Sequence, residues 1–193
     1  MNRGRRDLLR ALSSLAAIGG VSSSRAEESA WQLLAVGGCA VLLRHAQTEA
    51  GIGDPPGFRL DDCSTQRNLS AAGRAEAVRF GAEFARRGIG IDAVLSSRWC
   101  RCLDTARLAF PRNEVRVWEA LNSFFADSST RAAQTAQLRD FLARQRPPRR
   151  AVLVTHMVNI AALTGQSVQM GEALLVRLGA AEPGGVLGRL RVA

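Results

Sequence analysis

Two short apolar runs end on the only two histidines of the chain. Ala40-Val41-Leu42-Leu43 leads into Arg44-His45, and Ala151-Val152-Leu153-Val154 leads into Thr155-His156. Neither run alternates apolar with polar residues, so each reads as a strand buried on both faces. Such strands need helices above and below them, and the remaining sequence supplies these. Ser70 is placed to cap a helix to about Arg87, stopped by Gly88, with Ala77, Phe80, Gly81 and Phe84 on one face. A strand is expected within Ile89 to Ser97, then a helix from Arg98 to Phe110 ended by Pro111. Val115 to Trp118 is a third short strand, and Thr130 is expected to cap a helix to about Arg146. A short helix reaches Leu163 and Gly165. Two last strands, Ala173 to Leu178 and Val186 to Val192, flank Pro183-Gly184-Gly185.

Strands alternating with helices predict an α/β fold of three layers, with a mainly parallel sheet flanked by helices. The short connection between the last two strands makes them an antiparallel addition at one edge. Residues 51–68, rich in Gly, Pro and Asp, read as a long loop. The full length of 193 residues accommodates one substantial domain.

The N-terminus has the composition of an address. Basic residues up to Arg10 precede a small apolar stretch from Ala11 to Val21, and Ser24-Arg25-Ala26 has a small-x-small pattern. Residues 1–26 are therefore expected to be a signal peptide, too short in its apolar part for a stable membrane span. Arg5-Arg6 gives it the look of the twin-arginine export type, with a periplasmic or secreted product; an ordinary secretory signal is the alternative. Residues 27–193 then form the single mature domain. The segment also accounts for +4 of the formal charge of +9, leaving +5 on the mature chain. All the basic residues are arginine, a composition bias rather than a phosphate-binding signal. No basic run interleaved with aromatics remains, so nucleic acid is not an expected partner.

In an exported chain the four cysteines meet an oxidising compartment. Cys100-x-Cys102 lacks the spacing of a zinc pair. One disulfide is expected, from Cys63 to either Cys100 or Cys102, and Cys39 fits a buried thiol. Such a bridge would pin the 51–67 loop beside Arg101.

In open α/β sheets, sites form beyond the C-terminal ends of the strands. His45 and His156 both fall there, with Arg44 beside one and Arg101 in the first turn of the helix after Ser96-Ser97. Arginine presents a planar fork to phosphate oxygens, and a helix N-terminus adds amide donors. A neutral imidazole is a nucleophile that can form a covalent intermediate. A second one can stabilise the charge that develops on the phosphoryl oxygens. The constellation reads as metal-independent, cofactor-free phosphoryl transfer through phosphohistidine.

Four blocks, in order, resemble the histidine phosphatase superfamily, with its phosphoglycerate-mutase-like fold. Arg44-His45-Ala46-Gln47-Thr48 resembles its Arg-His-Gly-x-Thr signature. Asn68-Leu69-Ser70 through Gly73 to Ala77 is similar to its Pro-Leu-Thr-x-x-Gly helix start. Ser97-Arg98-Trp99-Cys100-Arg101 through Thr105-Ala106 is similar to its Ser-Pro-x-x-Arg block, and Val154-Thr155-His156 to the strand carrying the second histidine. The blocks span 39 to about 165. The resemblance implies that His45 attacks phosphorus, while Arg44, Arg101 and His156 hold the phosphoryl oxygens. It also implies an acid after the third strand. Glu119 is the nearest match, although its surroundings depart from the family pattern. Asp54, Asp61, Asp62 or Asp127 is the alternative. Thr48 and Arg67 are expected to face substrate.

The function so implied is an exported phosphatase, of histidine acid phosphatase type, for small phosphomonoesters or phosphorylated cell-envelope sugars. A phosphohistidine-protein phosphatase and a non-catalytic anion-binding module of the same fold are the alternatives. A mutase fits poorly, because so short a chain leaves little room for the necessary insertions.

Overall fold

The computed structural model describes residues 18–179 and 185–191, with side chains from residue 25 onward. The Arg5-Arg6 pair and the Pro183-Gly184 turn lie outside the described residues. Six strands form one sheet in the order β3-β2-β4-β1-β5-β6. β1 (Cys39–Arg44), β2 (Ala93–Ser96), β3 (Val115–Val117) and β4 (Arg150–Thr155) run parallel. β5 (Glu172–Arg177) and β6 (Val186–Arg191) add antiparallel at one edge, as their short connection predicts.

Both sheet faces are covered. Val41, Leu43, Val152 and Val154 pack toward Phe80 and Phe84 of α2 (Ala71–Arg86) and Cys102 and Ala106 of α3 (Cys100–Ala109). Leu42 and Leu153 pack on the opposite side with Leu138 and Leu142 of α4 (Arg131–Arg144) and Ile160 and Leu163 of α5 (Met157–Thr164). The apolar β1 and β4 runs are thus dictated by burial on both faces.

α1 (Ile18–Val36) is the element the sequence reading left out beyond Ala26. It passes through the expected cleavage position without a break, and among its described side chains the buried Ala30, Trp31 and Leu34 follow that position. Trp31 meets Phe84 edge-on, with ring centroids 5.0 Å apart. Arg87 joins the two helices by pairing with both carboxylate oxygens of Glu28 at 2.9 Å. Among the described residues, no helix is long and apolar enough to cross a membrane.

Boundaries differ where local chemistry intervenes. β2 begins at Ala93 rather than Ile89, because the residues before it close α2. Gly88 takes a φ of 64°, and the amides of Gly88 and Ile89 return to the carbonyls of Ala85 and Phe84. Ser70 caps α2 as expected, accepting from the Gly73 amide. Thr130 stands at the N-cap of α4 as expected, but its side chain makes no capping hydrogen bond. Its hydroxyl is turned to Gln134, and Asp127 instead caps a short 3-10 turn, Ser128–Thr130, that leads into the helix. Gly73 and Gly81 are required by close packing: a Cβ would stand 1.8 Å from the Gln47 and Ala109 carbonyl oxygens, respectively.

Candidate active site

The register of the two central strands builds the site. Arg44 of β1 lies beside Thr155 of β4, so the next residue on each strand is a histidine at the same level. The His45 amide donates to the Thr155 carbonyl at 3.0 Å, and the imidazole centroids are 5.4 Å apart. Both rings are buried, and both line a cavity of about 520 Å³ together with Arg44, Arg67 and Arg101.

His45 is held in one tautomer. Its Nδ1 lies 3.0 Å from the Ala46 carbonyl oxygen, which only accepts, so Nδ1 carries the proton and Nε2 keeps its lone pair. Burial is the main reason its pKa is lowered to about 3, with Arg101 and Arg44 adding to the effect. The ring is neutral at pH 7, the form a nucleophile requires. The Ala46 amide donates to Thr105 Oγ1 at 3.0 Å, and the same hydroxyl donates to the Arg101 carbonyl at 2.7 Å. Thr105 therefore ties Ala46 to the first turn of α3.

His156 is fully enclosed. Its Nε2 is 2.9 Å from Ser97 Oγ and 3.5 Å from Cys102 Sγ, and Trp99 meets the ring edge-on at 5.3 Å. Burial, then the neighbouring His45 and Arg101, hold its pKa well below the ordinary histidine range. The Cys102 thiol is pushed up to about 12 by burial, so it packs as a thiol and not as a thiolate.

The three cavity arginines are held by backbone carbonyls and one carboxylate. Arg44 Nη1 donates to the Val168 carbonyl at 2.8 Å and Arg67 Nη1 to Gly51 at 2.6 Å. Arg101 pairs with Asp54 through Nη1 at 2.7 Å and Nη2 at 3.2 Å. Each keeps a buried Nε with no hydrogen-bond partner among the described residues. Buried unpaired donors are costly. Three guanidinium side chains lining one cavity make it a receptor for an anion. Burial and mutual repulsion lower the pKa of Arg44 and Arg67, a tension that a bound anion relieves.

The remaining expected site residues divide. Arg67 lines the cavity; Thr48 does not, and its buried hydroxyl points to Met170 Sδ at 3.6 Å. Glu119 does not line the cavity either. It is exposed, at the start of the short turn Glu119–Leu121 after β3. Asp61 pairs with Arg59, Asp62 caps Ser64, and Asp127 caps Ser129, all outside the cavity. Asp54 is the carboxylate that does line it. Burial pushes its pKa up, but bonds from Arg101, the Arg67 amide and Trp99 outweigh this and hold it low. Trp99, Phe58 and Phe125 also line the cavity; the sequence blocks contained Trp99 without marking it as a wall.

Cys63 and Cys100 form a disulfide, resolving the two pairings the sequence left open, and Cys39 and Cys102 are free and buried. The bridge ties the loop bearing Asp54 and Arg67 to the N-terminus of α3, where the Gln66 side chain also accepts from the Cys100 amide at 3.0 Å. Among the described residues, no three or more His, Cys, Asp or Glu side chains cluster as metal ligands would.

Comparison with known proteins agrees with this geometry. Residues 40–127 match the family model of the histidine phosphatase superfamily (branch 1). No curated protein matches the chain. Among solved structures, a mycobacterial glucosyl-3-phosphoglycerate phosphatase complexed with VO3 is 22% identical, with a TM-score of 0.53, over 72% of this chain and 92% of that one. SixA from Agrobacterium tumefaciens, named as a phosphohistidine phosphatase, is 22% identical with a TM-score of 0.51, covering 80% of this chain and 99% of that one. YhfR from Bacillus stearothermophilus is 12% identical with a TM-score of 0.57, covering 80% and 98%. By the match over residues 40–127 and by its fold, the chain is similar to the histidine phosphatase superfamily.

Proposed function

We propose that the protein is an exported phosphatase that hydrolyses phosphomonoesters through a covalent phosphohistidine on His45. The observation that carries this reading is a single cavity lined by Arg44, Arg67 and Arg101 together with a neutral His45 whose Nδ1 proton is fixed. The names of the mycobacterial and Agrobacterium neighbours support the same class.

The phosphoryl group enters between Arg44, Arg67, Arg101 and His156. His45 Nε2 attacks phosphorus as the ester P–O bond breaks, the leaving oxygen departs with the bonding pair and takes a proton from solvent, and the Ala46 carbonyl stabilises the positive charge that develops at Nδ1. Arginine forks spread over the equatorial oxygens. Water then attacks the phosphohistidine and returns the neutral ring. Every group in this scheme belongs to the chain, so the rate is expected to be unchanged by EDTA.

The test is phosphate release from a panel of phosphomonoesters by the protein from residue 27 onward, with and without EDTA. His45→Ala serves as the blank. Metal-independent release by the unsubstituted protein, lost in the variant, is expected. Equal release by both proteins contradicts the reading. Phosphate binding without turnover would make the protein an anion-binding module. Export itself rests on residues 1–26. A reporter fused to that segment is expected to leave the cytoplasm, and to stay there when Arg5 and Arg6 are both replaced by lysine.

A further inference from the structure

The cavity is charged in its buried part and apolar at its rim. Ile52 and Phe125 both line it, yet they are 91% and 61% exposed. Phe58, Met157 and Met170 continue this wall. Exposed apolar side chains converging on one cavity gain by being covered by an apolar ligand. The supply of neutral polar groups is small. Apart from the guanidiniums and imidazoles, the lining side chains offer the Ser123 hydroxyl, the Trp99 indole N–H, which is taken by Asp54, and the Asp54 carboxylate.

Asp54 is saturated. Oδ1 accepts from the Arg67 amide at 3.0 Å and Arg101 Nη1 at 2.7 Å. Oδ2 accepts from Trp99 Nε1 at 3.0 Å and Arg101 Nη2 at 3.2 Å. Its lone-pair sites are all taken. It can neither receive a substrate hydroxyl nor, as an ionised partner of Arg101, deliver a proton. A polyol would find few side-chain partners here, and among the described residues lining the cavity no carboxylic acid is free to protonate a departing alkoxide. A phenolate, whose conjugate acid ionises near about 10, departs without one.

We infer that the site is built for aryl phosphomonoesters, with phosphate on an apolar phenolic oxygen, rather than for phosphate on an aliphatic alcohol. This rests on the phosphohistidine reading and narrows its substrate class. In the first step the His45 Nε2–P bond forms as the P–O bond breaks, and the phenolate leaves with the bonding pair and its negative charge. In the second, water adds to phosphorus, the N–P bond returns its pair to Nε2, and both water protons depart on dihydrogen phosphate. The phenolate takes its proton from solvent.

The experiment compares kcat/KM for phenyl phosphate, benzyl phosphate and glycerol 3-phosphate on the unsubstituted protein. Benzyl phosphate keeps the apolar ring but releases an alkoxide. It is expected to be at least about 100-fold slower than phenyl phosphate, the factor that a missing general acid forfeits. Glycerol 3-phosphate should be slower still. Phe125→Ala should lower kcat/KM for phenyl phosphate roughly tenfold and leave inhibition by inorganic phosphate unchanged. Benzyl or glycerol phosphate turned over within a few-fold of phenyl phosphate, with phosphohistidine still formed, overturns this inference alone. An unaltered kcat/KM in both Phe125→Ala and Ile52→Ala overturns the role of the rim. No turnover of any ester and no phosphohistidine overturns the underlying reading with it.

Discussion

At His45, one hydrogen bond and one environment set the chemistry. The Ala46 carbonyl selects the tautomer, and burial keeps the ring neutral. The same burial couples protonation to stability. The folded-state pKa, lowered to about 3, lies below the unfolded value of about 6.5. The contribution is therefore present in full above pH ~6.5 and lost as pH falls toward 3. Thermal melts of the unsubstituted protein and His45→Gln, compared from pH 7 to pH 4, should show the unsubstituted protein losing more stability on acidification. Parallel curves would contradict this. The histidines and Arg44 were legible in the sequence because each terminates or adjoins an apolar strand. Asp54 was visible only as one of several acids. Its pairing with Arg101 links two segments 47 residues apart, and no local pattern encodes that. Glu119 illustrates the opposite case: its position after β3 fitted the family order, while the turn Glu119–Leu121 left its side chain in solvent.

Elements bring these residues into register, and two devices hold them. The Cys63–Cys100 bridge spans 37 residues, enough to contribute about 3–4 kcal/mol through chain entropy. Cys63→Ser should lower unfolding free energy by about that amount in urea titrations and raise KM, because the Asp54–Arg67 loop loses its anchor to α3. A variant with the same KM and midpoint would show that the loop is placed without the bridge. The second device is the tight α2–α3 contact at Gly81, where a Cβ would stand 1.8 Å from the Ala109 carbonyl oxygen. Gly81→Ala is expected to cost about 1–3 kcal/mol by overpacking. A melting temperature equal to that of the unsubstituted protein would refute the constraint. The sequence pattern located every strand and α-helix described after residue 38 but none of the short 3-10 turns, and its errors in the longer elements lie at their ends. Gly88 moved the start of β2 through backbone geometry that hydrophobic spacing does not record.

Across the whole molecule, the sheet order follows from burial. β4 and β1, the most apolar strands, occupy the centre, and the short β3 and the C-terminal β6 form the edges. Residues 27–36, which form the last part of α1, lie between the expected signal peptide and the first strand and were assigned no element. Yet Trp31 and Leu34, 2% and 0% exposed, make residues 27–36 part of the core. A chain beginning at residue 27 should keep the cooperative melt of the domain. One beginning at residue 38 should melt at least about 10 °C lower, since burying such side chains is worth several kcal/mol. Equal melting temperatures would mean that the helix is ornamental.

The central claim is that phosphate passes through Nε2 of His45. The direct measurement is mass spectrometry of the protein quenched in base during turnover of phenyl phosphate. The account predicts one acid-labile, base-stable phosphate on the peptide carrying His45, absent from His45→Ala. Steady turnover with no phosphate on that peptide, or the same adduct in His45→Ala, would contradict it.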